Sequence, residues 1–131
     1  MNHWKQITDI IDGHQRFLIV SHQYPDGDAS GSCLGLLHYL CSLGKQSRCV
    51  NCSPIQKVLE FLDPERVHQV YDKNTFDWSW PEVVFILDTS DVKRLGPVGD
   101  DLPWDRVISV NIDHHRSSSE AIPASVSQVD A

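Results

Sequence analysis

"FLIVSHQYPDGDASGSCLGLL" (residues 17–37) is the stretch that decides the fold. It opens with a short apolar run of strand type over 17–21. It then passes through a turn rich in Gly, Pro and Asp. From Ser30 the pattern turns helical: Cys33, Leu36, Leu37 and Leu40 fall on one face, and Gly44 follows as a stop. A strand running into a helix through a tight turn is the opening unit of an α/β chain.

The same alternation extends on both sides. Upstream, Trp4, Ile7 and Ile11 recur at helical spacing before Gly13. Downstream, "SRCVN" (47–51) reads as a second strand. In "SPIQKVLEFL" (53–62), Ser53 is a candidate N-cap, Pro54 lies in the first turn, and Ile55, Val58, Leu59 and Leu62 form a helical stripe. "VHQVY" (67–71) is a further short strand, and "DKNTFDWSWPE" (72–82) a loop whose tryptophans cover the sheet edge. "VVFILD" (83–88) and "RVISVNID" (106–113) are continuously apolar runs closed by aspartate. Runs without alternation suit strands buried on both faces, as in a parallel sheet covered by helices. The expected fold is α/β, Rossmann-like: an open, mainly parallel sheet with helices on both faces.

The 131 residues carry a net charge of -7 and fit one globular domain. An acidic chain disfavours a broad surface for long DNA, but a small nucleotide is compatible with it where divalent cations invert the local sign. Neither a secretory signal nor a membrane-spanning run is legible, so the expected location is cytoplasmic. Of Cys33, Cys41, Cys49 and Cys52, only "CVNC" has metal-like spacing, and no second pair completes a zinc site. Reduced, structural thiols are the reading.

The placement of acids and histidines is more informative. His22, Asp26 and Asp28 follow the first strand, Asp88 closes the fourth, and Asp113-His114-His115 closes the fifth. In a parallel sheet the carboxyl ends of the strands share one side, where ligands bind. Each motif has a bland reading alone: "PDGD" is a common turn, Asp88 could be a cap, and paired histidines usually serve packing or surface. Their recurrence at successive strand ends is what argues for a site. Converging carboxylates repel unless protonated or neutralised by cations, and oxygen donors mixed with imidazole suit Mn²⁺, Fe²⁺, Co²⁺ or Zn²⁺. His3, His14, His38 and His68 lack such neighbours and read as structural or solvent-facing.

These motifs resemble the DHH phosphoesterase superfamily, named for the residues that stand here at 113–115. "SHQYPDGDASGSCLGL" and "LDTSDVKRLG" (87–96) are most similar to the branch of oligoribonucleases that also dephosphorylate pAp. The resemblance implies one Mn²⁺ on His22, Asp26 and Asp88, and a second on Asp28, Asp88 and His114. It implies that His115 lies near the scissile phosphate, with Asp113 orienting the histidine pair, and that a metal-activated water attacks phosphorus. Short oligonucleotides or nucleotides are the implied substrates, with homo-oligomerisation possible and neither membrane nor long DNA as partner. Residues 1–131 would form the N-terminal portion of the domain. The fourth-motif aspartate and a substrate-binding domain would then lie further on, leaving this segment alone weak or inactive. Alternative activities are those of a RecJ-type exonuclease, a cyclic-dinucleotide phosphodiesterase or a family II pyrophosphatase. The alternative from another class is a non-catalytic metal- or nucleotide-binding module.

Overall fold

A computed structural model describes residues 3–114 and 122–129. Six strands form one sheet: β1 (Arg16–Val20), β2 (Gln46–Asn51), β3 (His68–Val70), β4 (Val83–Leu87), β5 (Ile108–Asp113) and β6 (Val126–Val129). Their order is β3-β2-β1-β4-β5-β6, and every neighbouring pair is parallel. This is the doubly wound order, with its switch point between β1 and β4.

The apolar runs are continuous because both faces of the sheet are covered. Phe17 and Ile19 of β1, with Val83, Phe85 and Leu87 of β4, pack on one face against α1 (Trp4–Gly13) and α2 (Gly27–Ser42). Leu18, Val20, Val84 and Ile86 alternate with them and face the other layer. There Leu95, Val98 and Leu102 come from a 3₁₀ turn over Val92–Leu95, from α3 (Pro97–Asp101) and from the residue after it. Phe17 and Phe85 are both fully buried, their ring centroids 6.1 Å apart in a tilted pair. Such a pair adds about 0.5–1.5 kcal/mol beyond the area it buries.

Four local expectations change. Helix α2 begins at Gly27 rather than Ser30, because Asp26 caps it by accepting from the Ala29 amide at 2.9 Å. Over 53–62 there is no amphipathic α-helix, only a 3₁₀ helix over Lys57–Leu62. With three residues per turn, Val58 and Phe61 share a face, and that face is solvent: they are 74% and 75% exposed. Ser53, read as its N-cap, instead accepts from the Tyr24 amide at 3.0 Å. The aromatic loop covers a sheet face more than an edge: Phe76 and Trp78 stack edge-on at 4.7 Å beside Tyr71, against the second core.

The fourth change is β6, a strand the sequence reading lacked. It is short and follows Ser125, whose amide donates to Ser109 Oγ at 3.0 Å while the Ser109 amide donates to Ser125 Oγ at 3.2 Å. That reciprocal pair sets the register in which Val110 meets Val126. Of the cysteines, Cys33 and Cys49 fit the structural reading, while Cys52 is half-buried and Cys41 exposed. All are free thiols, with Cys33 and Cys49 buried in the first core and the Cys49 thiol pushed well up by its hydrogen bond with Cys33 and by burial.

Candidate metal centre

The switch point puts the loop after β1 beside the loop after β4. His22 sits just beyond β1, and its ring is almost wholly buried. Its Nδ1 lies 2.7 Å from the Gln23 carbonyl. A carbonyl only accepts, so Nδ1 carries a proton and Nε2 is the nitrogen that faces the site. That atom faces Asp88 Oδ2 at 3.4 Å and Asp26 Oδ1 at 3.8 Å. Asp26 thus caps α2 and faces the site with the same side chain.

Asp88 is the centre of the arrangement. Its backbone is left-handed, φ 62°, a conformation aspartate tolerates better than most residues. The turn aims its two oxygens in different directions: Oδ2 toward His22, Oδ1 toward His114 Nε2 at 2.8 Å. Asp113, buried at the end of β5, accepts from the His114 amide at 2.8 Å. Two groups of ligand atoms result, each with all atoms within 4.8 Å of one another: His22, Asp26 and Asp88, and Asp88, Asp113 and His114. Asp88 belongs to both. The hydrogen bond to Asp88 raises the pKa of His114, and the charges of Asp88, Asp113 and Asp28 add to the effect.

Of the predicted residues, His22, Asp26, Asp88, Asp113 and His114 fall in these two groups. Asp28, expected beside His114 as a ligand, is exposed in the first turn of α2 and outside both groups among the described residues, and Asp113, expected only to orient the histidine pair, stands in the second group in its place. Asp26 and Asp28 are both exposed, whereas Asp88 and Asp113 are buried. His115 lies outside the described residues. The donor set, two imidazoles with carboxylates, fits a divalent first-row metal ion.

Two asparagines that the sequence reading passed over hold this geometry. Asn51, at the end of β2, donates to Ser21 Oγ at 3.1 Å and to the His22 carbonyl at 2.8 Å, and accepts from the Ser53 amide. Asn111, in β5, donates to the carbonyls of Ile86 and Thr89, on either side of Asp88, at 3.1 and 2.7 Å. Both are buried. An asparagine inside a run otherwise fit for a fully buried strand was the available signal, since such a side chain must find partners. The two loops also bind each other: the Gln23 amide donates to the Arg94 carbonyl at 2.6 Å. Gly96, at φ 64°, leaves room for the Gln23 side chain, which a Cβ there would strike.

A groove of about 320 Å³ adjoins the cluster, lined by Ser32, Leu36, Leu87, Asp88, Ile112, Asp113 and His114. A larger hollow of about 500 Å³ beside β3 is lined by residues such as Glu60, Asp63, Arg66 and His68, but carries no such ligand group among the described residues. Among the described residues no helix is long and apolar enough to cross a membrane.

No curated protein sequence matches the chain. Among solved structures, it is similar to the crystal structure of an exopolyphosphatase-related protein from Bacteroides fragilis, with 26% identity and a TM-score of 0.85. The alignment covers 97% of this chain and 38% of that protein, so the chain spans well under half the length of its relative. The model of the DHH family, N-terminal domain, matches residues 16–130. With its motifs at three parallel strand ends and a match over nearly its whole length, the chain belongs to the DHH family.

Proposed function

We propose that this chain is the metal-binding half of a Mn²⁺-dependent phosphoesterase that hydrolyses short oligonucleotides or pAp-like nucleotides as part of a longer protein. The observation that carries the reading is Asp88, whose two carboxylate oxygens each face a different histidine. In this reading His22, Asp26 and Asp88 hold one ion; Asp88 and His114 hold the second, with Asp28 completing it. Two ions held there would lower the pKa of a bound water, so that hydroxide is available to attack phosphorus at neutral pH, and would offset charge on the phosphoryl oxygens.

The chain's own residues do the preparatory work. The Gln23 carbonyl holds a proton on His22 Nδ1, which leaves Nε2 as the nitrogen to ligate. Asn111 holds the backbone on both sides of Asp88, so the shared carboxylate is aimed before any ion arrives. Asp113, through the His114 amide, orients the start of the histidine pair.

A second reading, hydrolysis of phosphate chains, is favoured by the relative described as exopolyphosphatase-related. Comparing turnover of a dinucleotide and of polyphosphate by the full-length protein separates the two. Metal binding is tested by calorimetric Mn²⁺ titration of this chain and of Asp88→Asn, a change that keeps tolerance of the left-handed backbone. Saturable binding that the variant loses is the expected result. Undiminished binding in the variant overturns the shared-ligand assignment.

A further inference from the structure

We propose that Ser53 is a positioning residue for the ligand cluster: it holds Tyr24 in the turn that folds His22 back onto Asp26. The inference rests on the metal-binding reading above and names what prepares the first ligand loop. His22 and Asp26 are four residues apart but share no helix, since α2 begins at Gly27. The chain between them must therefore reverse for His22 Nε2 to face Asp26 Oδ1 at 3.8 Å.

The reversal is made at an unfavourable place. Tyr24 is left-handed, φ 52°, although it carries a bulky side chain and directly precedes Pro25. The side chain disfavours that region, and a following proline pushes a residue toward extended backbone. Burial of the ring does not repay this, because Tyr24 is 77% exposed. A conformation of this kind persists only where the surroundings over-determine it, and such places cluster at functional sites. Here the loop is tied at three successive residues. The Gln23 amide donates to the Arg94 carbonyl, the Tyr24 amide donates to Ser53 Oγ at 3.0 Å, and the Pro25 carbonyl accepts from Gln56 Nε2 at 3.1 Å.

Of the three ties, the one to Ser53 is made by Tyr24 itself. Ser53 is buried and is held in turn: its amide donates to Asn51 Oδ1 at 2.8 Å, and its carbonyl lies 3.0 Å from His68 Nε2. Ser53 cannot follow the loop, so the loop follows Ser53. Released from it, Tyr24 would relax toward extended backbone and separate His22 from Asp26, which is tied to α2 through its cap.

The test is a double-mutant cycle read by calorimetric Mn²⁺ titration. Ser53→Ala should weaken Mn²⁺ binding about tenfold or more, the range for groups that orient ligands. In a Tyr24→Gly background the same change should cost about threefold or less, because glycine holds a left-handed turn without help. Gln56→Ala, at an exposed position, should show a smaller loss that shrinks in the same way, and it carries the test if Ser53→Ala fails to fold. Native affinity in Ser53→Ala overturns the proposal, even where that variant melts at a lower temperature. So does an equal loss in both backgrounds. If the native chain does not bind Mn²⁺, the metal reading falls. The same cycle, read by thermal melts of the metal-free chain, then decides the turn, and a loss of stability equal in both backgrounds overturns it.

Discussion

The loops after β1 and after β4 meet the same requirement in different ways. Each must present a ligand at a strand's carboxyl end while keeping its buried backbone paired. After β1 the chain runs into a long helix, and Asp26 serves as that helix's cap. After β4 no long helix follows; Asp88 turns the backbone left-handed, and a 3₁₀ turn leads away. In both, an asparagine on the neighbouring outer strand does the pinning: Asn51 of β2 for the first loop, Asn111 of β5 for the second. The difference is in what they share. The first loop holds its ligands through a helix that would form without a metal. The second holds a strained residue that both ligand groups need.

That contrast can be broken by experiment. The largest effects should come from the asparagines. Asn51→Ala removes three hydrogen bonds from a buried site and should cost about 2–4 kcal/mol, and Asn111→Ala, which removes two, about 1–3 kcal/mol, read by urea denaturation. In Mn²⁺ titrations the order should reverse. Asn111 supports the shared carboxylate, so its loss should weaken metal binding more, by roughly 10–100-fold. Unaltered Mn²⁺ affinity in Asn111→Ala would show that Asp88 holds its own geometry.

Asp26 separates cap from ligand. Asp26→Ala should lower stability by about 1 kcal/mol and weaken Mn²⁺ binding; Asp26→Ser should keep most of the stability, since serine caps well, but not the affinity. If serine restores both, Asp26 acts only through α2.

The smallest effect concerns His114. Asp88 raises its pKa, so in the metal-free chain the His114–Asp88 contact stabilises fully below the free imidazole pKa, about 6.5, and fades as pH rises through the raised value. The ring is exposed, so the difference in melting temperature between the native chain and His114→Ala should be slight at about pH 6 and smaller still at about pH 8.5. A difference independent of pH would mean the contact is not an ion pair.

Much of this was legible in one dimension. The continuous runs at 17–21 and 83–88 announced strands buried on both faces, because no polar residue interrupts them. The motif residues stood out because acids and histidines recur just where such runs stop. The stripe over 53–62 misled, since Ile55, Val58, Leu59 and Leu62 fit a helical period that the backbone does not adopt. Periodicity alone cannot tell an α-helix from a 3₁₀ segment of a few residues. Strand β6 escaped because a short run is recognised by its partner more than by its own composition.

By itself, then, the sequence determined which segments other than β6 become strands and which residues can ligate, because burial and donor chemistry are properties of residue type. Only the tertiary structure decided that β1 lies beside β4 rather than next to β3, since strand order depends on which crossovers pack together. That order brings His22 to Asp88, and the hydrogen bonds of Asn51 and Asn111 then fix where each ligand points. Direction, unlike identity, is set by neighbours distant in the chain.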